Sequence, residues 1–134
     1  MFCSKGFTLV ELVISLLIIG LLSSISISSY STIQKRAKER TLISLVYNFQ
    51  LALESYYLAL SRYPDGNNVS IGDIEALLLE NGDLTTVHTN PFTGAVFSLN
   101  DSSGLALYSY DVDTDRYSIE VYGYLNEDII LILE

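Results

Sequence analysis

The stretch Lys5-Gly6-Phe7-Thr8-Leu9-Val10-Glu11 opens this 134-residue chain, and an apolar run follows it at once. From Phe7 to Ile27 the only interruptions are Thr8, Glu11, Gly20 and scattered serines. That run has about the ~20 residues a bilayer core requires. A secretory signal would carry an apolar region of only about 7–15 residues before its cleavage site. Cys3 precedes the run rather than following it, which argues against a lipid-attachment signal. Glu11 is the lone acid between Phe7 and Gln34. A carboxylate inside an apolar helix is costly and needs a partner, so Glu11 is the first candidate functional residue.

Working outward, no proline occurs from Phe7 to Leu60, and Gly20 is the only glycine there. Up to Ile27 the segment is apolar around most of its circumference. After Tyr30 an amphipathic stripe takes over: Ile33, Ala37, Val46, Phe49, Leu53, Tyr56, Tyr57 and Leu60. Spacings of three and four mark one helical face. The pattern predicts one helix from Phe7 to about Leu60, its first half spanning membrane and its second packing under a head. Ser23 to Ser29 is serine-rich and β-branched, so local loosening is expected there but no sharp kink.

Arg62-Tyr63-Pro64-Asp65-Gly66 ends that helix, because Pro64 disfavours helix at Tyr63 and Asp-Gly is turn chemistry. A short helix is expected over Ile71–Glu80, capped by Ser70, stopped by Asn81-Gly82, and facing Ile74, Leu77 and Leu78 inward. Asn90-Pro91-Phe92-Thr93-Gly94 reads as a turn. Strands are expected at Ala95–Leu99, Leu105–Tyr110, Tyr117–Tyr122 and Ile129–Leu133. The last is almost wholly apolar and reads as a covered strand, with a subunit contact as the second option. The fold class is therefore α+β, a long N-terminal helix on a small antiparallel sheet. Its parts are a leader at 1–6, a transmembrane half at 7–30, an amphipathic half at 31–62 and a head at 63–134.

The formal net charge is −9. Lys35, Arg36, Lys38 and Arg40 form a basic collar past the apolar run. From Thr41 onward two basic residues, Arg62 and Arg116, face fourteen acids, a balance of −12. An acidic head of this kind is not a nucleic-acid binder. The collar suits lipid headgroups, acidic surface on neighbouring subunits, or plain solvation. Cys3 is the only cysteine and His88 the only histidine, so no Cys/His metal cluster is available. No nucleophile motif and no phosphate loop frames a catalytic site. These absences predict a protein that is not an enzyme.

Gly6-Phe7-Thr8-Leu9-Val10-Glu11-Leu12 and the following apolar segment resemble the class III signal of type IV pilins and type II secretion pseudopilins. The resemblance implies cleavage by a prepilin peptidase after Gly6, N-methylation of Phe7, and pairing of Glu11 with the Phe7 amine of a neighbouring subunit. It implies the pilin fold, an inner-membrane single-pass precursor with its N-terminus cytoplasmic and its head outside, and a homopolymer. Minor pilins or pseudopilins and an inner-membrane assembly platform are the implied partners. A naive positive-inside count of the collar would give the opposite orientation. Tyr63-Pro64 and the cysteine-free head resemble the major pseudopilin branch. A pilus subunit, including a competence pilin, is the alternative. A non-polymerising bitopic binding protein stands behind both. Family members often carry a proline where this chain has Ser28.

Asp111-Val112-Asp113-Thr114-Asp115 is the one candidate metal site, with Asp111, Asp113 and Asp115 as calcium ligands, since hard cations take several oxygens. An EF-hand starting at Asp111 would need glycine sixth and glutamate twelfth, where Arg116 and Tyr122 stand. A polar hairpin turn is the competing reading. Apart from calcium no cofactor is expected.

Overall fold

The computed structural model describes residues 6–134; within the first helix the side chains of residues 25–29 are outside that description. The rest of the expected leader, with Cys3 and Lys5, lies outside the described residues. Two compact units divide the chain, Met1–Lys35 and Arg36–Glu134.

Helix α1 runs over Leu9–Leu60, as the unbroken absence of proline predicts. In the first unit every large apolar side chain from Phe7 to Leu22 is exposed. Among the described residues no helix is long and apolar enough to cross a membrane. The expected transmembrane half contains residues 25–29, and the described run from Leu9 to Ser24 is shorter than the ~20 residues a bilayer core needs.

In the second unit α1 buries Leu42, Val46, Phe49, Ala52, Leu53 and Tyr56, one face at spacings of three and four. The stripe is shorter than expected. Ile33 and Leu60 are 63% and 50% exposed, Ala37 is exposed and Tyr57 is half-buried. The reason is the size of the sheet. Four short strands make a surface about 20 Å across, which covers about 13 residues of helix at 1.5 Å each. Leu42 to Tyr56 is a stretch of that length.

The sheet has four antiparallel strands in chain order: β1 Val69–Ser70, β2 Ala106–Asp111, β3 Arg116–Tyr122 and β4 Ile129–Leu133. Ala106, Tyr108, Tyr117, Ile119 and Val121 alternate onto the α1 side and close the core with α2 residues Ile71, Ile74 and Leu78. Helix α2 spans Ile71–Asn81. Ser70 caps it by accepting from the Gly72 N–H, and Gly82 ends it at φ 85°, a left-handed stop suited to glycine.

Three sequence expectations differ from the structure. Ala95–Leu99 is no strand; only Thr89 and Val96 form an isolated bridge. Phe97 instead drops into the core, and its carbonyl lies 2.3 Å from where a Cβ on Gly72 would sit. Glycine at 72 is thus what lets this segment close on α2. The two-residue β1 was not foreseen, because its pairing to Tyr108 and Leu107 comes from a distant strand rather than from a local pattern. The strand β4 is covered on one side only. Ile130, Leu131 and Leu133 pack on the core, while Ile129 and Ile132 are half exposed.

The outward face of α1 beyond the collar is also uncovered. Thr41, Ser44, Tyr47, Asn48, Leu51, Ser55 and Leu58 are exposed, and none is charged. Glu54, the only acid between Thr41 and Leu60, turns away to accept hydrogen bonds from the Tyr63 and Tyr117 hydroxyls.

Candidate functional site

Thr8 and Glu11 build the start of α1. The Thr8 carbonyl accepts the first helical bond, from the Leu12 N–H at 3.2 Å. Thr8 N and Oγ1 both donate to Glu11 Oε2, at 2.9 and 2.8 Å, and the Glu11 N–H donates back to Thr8 Oγ1 at 3.3 Å. This is a reciprocal capping box, which satisfies donors that the first turn of a helix leaves open. The Thr-x-x-Glu spacing was the signal for it, but reading Glu11 as a buried acid obscured that cue. The cap also explains why α1 starts at Leu9 rather than at Phe7.

The arrangement fixes where the carboxylate sits. Glu11 Oε2 is committed to Thr8, while Oε1 makes no hydrogen bond among the described residues. Phe7, immediately before the cap, is 73% exposed. Gly6 is exposed too, and a Cβ added there would meet no described atom within 4 Å. No packing among the described residues requires glycine at position 6. Gly6, Phe7 and Glu11 are all exposed at the start of α1.

The candidate calcium ligands Asp111, Asp113 and Asp115 lie on the β2–β3 turn. Among the described residues no three His, Cys, Asp or Glu side chains gather to hold a metal ion. Asp111 Oδ1 accepts from the Asp113 N–H at 2.9 Å. A hydrogen bond from the Thr114 side chain, together with that N–H, holds the Asp111 carboxyl below its usual range. Asp115 adopts φ 52° and turns its carboxylate to the Tyr110 hydroxyl at 2.8 Å and the Tyr57 hydroxyl at 3.4 Å. The Asp111 carboxylate thus serves the turn and the Asp115 carboxylate the two tyrosines.

Two buried polar residues organise the segment between α2 and β2, and sequence reading missed both. Glu75 on α2 is fully buried. It accepts from the His88 N–H at 2.9 Å and lies 2.6 Å from His88 Nδ1. Burial pushes its carboxyl up, and His88 partly offsets that. Asn90, also fully buried, donates to Asp101 Oδ2 and to the Ser103 and Gly104 carbonyls, and accepts from the Phe92 N–H. Neither residue differs in type or spacing from the solvated polar residues around it.

The N-terminal site and the helix-on-sheet head define a class: a chain with an accessible, capped start to a long N-terminal helix and a small α+β head. A family model described as the prokaryotic N-terminal methylation motif matches residues 1–27. A fimbrial protein of Pseudomonas aeruginosa is 33% identical over 128 residues, covering 89% of this chain and 83% of that protein. A fimbrial protein of Neisseria meningitidis serogroup B is 38% identical over 68 residues, 51% of this chain and 39% of the relative. A type IV major pilin protein PilE1 of Neisseria gonorrhoeae is 37% identical over 68 residues, 51% of this chain and 41% of the relative. The matches to the Neisseria proteins thus span about two fifths of the length of those relatives. No solved structure matches. With one third of its residues identical over most of both chains, the protein belongs to the type IV pilin family.

Proposed function

We propose that this chain is a structural subunit of a type IV filament, made as an inner-membrane precursor and polymerised after its leader is removed. The observation that carries this reading is the helix start. Among the described residues Glu11 keeps one carboxylate oxygen without a hydrogen bond, four residues from an exposed Phe7, on a helix whose described apolar side chains are all open as far as Leu22. An isolated soluble protein would not leave such a surface bare.

The chemistry follows from the residues. A prepilin peptidase cuts the Gly6–Phe7 bond. The amine freed on Phe7 is methylated and keeps its positive charge. In the filament that ammonium approaches Glu11 Oε1 of the neighbouring subunit, while the capping box holds the carboxylate toward it. Apolar helices alone tolerate slippage, and an ion pair in an apolar setting does not, so the pair sets the register. Repeating a head-to-tail contact that does not close produces a helical fibre. Membrane residence before assembly rests on the apolar run Phe7–Ile27. In that state the N-terminus is cytoplasmic, the head lies outside, and the collar meets lipid headgroups. The chain carries no chemistry of its own in this role. Its partners are further copies, minor pilins, the peptidase and an inner-membrane assembly platform.

The pilus is the first reading, because the relative matched over most of its length is named a fimbrial protein. The pseudopilus of a type II secretion system is the second, favoured by Tyr63-Pro64 and by a head without cysteine. Deleting the gene separates them: loss of surface fibres supports the pilus, and loss of an exported protein with fibres intact supports the pseudopilus. The shared step is tested by intact mass and N-terminal sequencing of the protein from native membranes, with and without the peptidase. The expected product starts at Phe7 with one added methyl, and Gly6→Ala leaves the leader attached. An intact leader in both strains would overturn the proposal.

A further inference from the structure

The solvent side of the sheet holds a groove remote in sequence from the helix start on which the proposed assembly rests. Its volume is about 470 Å³, within the roughly 300–1,000 Å³ of small-molecule sites. Strand alternation puts Ser109 and Asp111 of β2, and Arg116 and Ser118 of β3, on the side opposite Tyr108 and Ile119. Ser109 stands directly across from Ser118, and Asp111 across from Arg116. Two facing serines in mid-sheet, where larger β-branched residues would pack better, make the depression. Asn67 closes one end beyond β2, and Glu134 the other end beyond β4.

The polar groups of this groove have capacity to spare. Ser109 Oγ accepts from the Asn68 N–H at 2.9 Å, which leaves its own proton to donate. The Ser118 hydroxyl, the Asn67 amide, the Arg116 guanidinium and the Glu134 carboxylate make no side-chain hydrogen bond among the described residues. Arg116 and Asp111 are neighbours across the strands but form no ion pair; Asp111 is turned to cap its own loop.

This set discriminates between ligand classes. An anion would meet Asp111 and Glu134. A cation would meet Arg116. A purely apolar ligand would strip water from at least four polar side chains without replacing their hydrogen bonds, which is costly. A neutral ligand dense in hydroxyls matches, because each hydroxyl both donates and accepts. We propose that this groove on the outer face of the sheet binds a saccharide unit. Arg116 and Asn67 donate to ring or hydroxyl oxygens, Glu134 accepts from a hydroxyl, and the two serines bridge between them.

The test is a titration of the full chain, isotopically labelled, in micelles of a detergent without a sugar headgroup. Methyl glycosides of glucose, galactose and N-acetylglucosamine are the probes, followed by an oligosaccharide of whichever binds. The expected result is a saturable shift of the Ser109, Arg116 and Ser118 amide signals with at least one glycoside. Ser118→Val and Arg116→Ala each weaken it tenfold or more. Both side chains point to solvent, so the unliganded spectra report directly that these variants fold. Tighter binding of the oligosaccharide assigns the site to a glycan chain, and equal binding assigns it to a single sugar; both support the proposal. No saturable shift with any glycoside would overturn it. So would unchanged binding by both variants, or the same shifts from sodium acetate alone.

Discussion

Replacing Glu75 tests how a fully buried carboxylate is tolerated in this head. Glu75→Ala removes the acceptor that serves the His88 N–H and ring, and leaves a void beside Ile74 and Leu78 on α2. An orphaned buried donor costs about 1–3 kcal/mol, and breaking a fully buried ion pair costs about 3–5 kcal/mol. The lower range applies, because the His88 side chain keeps 16% exposure and can find water. A loss of about 2–3 kcal/mol is therefore expected, or about 10–20 °C in melting temperature for a domain of this size. Glu75→Gln keeps the shape and an acceptor while removing the charge, and should stay within about 1 kcal/mol of the parent at neutral pH. The pH dependence separates the two effects. Burial raises the native carboxyl above its ordinary value of 4.5. Between the two values the native state keeps a proton that the unfolded chain has lost. Stability from this group is thus greatest below pH 4.5 and falls as pH rises through the raised native value. Subtracting the Glu75→Gln curve from the parent curve should expose that falling limb. Urea unfolding of the full chain from pH 4 to 8, followed by tyrosine fluorescence and near-ultraviolet circular dichroism, measures it. Equal losses in Ala and Gln, or a flat difference curve, would refute the reasoning.

Glu11→Val should block entry into filaments and leave the circular dichroism of the head unchanged; normal fibres from that variant would sink the pairing with Phe7. Asn90→Ala should cost about 3 kcal/mol in urea unfolding, since it strands the Phe92 N–H and two carbonyls in the interior. A loss below 1 kcal/mol would mean water replaces the amide. Tyr108→Phe removes the hydroxyl that donates to the Pro64 carbonyl at 2.9 Å in a fully buried setting. About 1–2 kcal/mol is expected in the same assay, with the aromatic packing on Phe49 retained.

What could be read in advance followed from local chemistry. The run free of proline, Ser70 and Gly82 at the ends of α2, and the alternation of Tyr117, Ile119 and Val121 each carry their meaning within a few residues. So does the helix start, where glycine, aromatic and glutamate stand in register. The features that escaped depend on distant partners. Glu75 has the same local setting as Asp73 and Glu80, yet only Glu75 meets His88 across a loop. Val69 and Ser70 become a strand only because Leu107 and Tyr108 lie alongside. Ala95–Leu99 has a strand-like composition, but the gap left by Gly72 draws Phe97 inward. The three aspartates of the hairpin are candidate ligands because their spacing is regular. Backbone geometry at Asp115, invisible in a spacing, sends one of them to a pair of tyrosines.

The charge-free outward face of α1 has a consequence for how this protein responds to salt. Elsewhere the head carries a large acidic excess, so two heads repel one another at low ionic strength. Between about 0.01 and 1 M salt the screening length shrinks from about 30 Å to about 3 Å, and that repulsion fades. Contact through Tyr47, Leu51 and Leu58 has no charges to screen. Association through this face should therefore strengthen as salt is added, whereas association through the collar and an acidic neighbour should weaken. The sign of the salt effect on light scattering would say which surface holds two heads together.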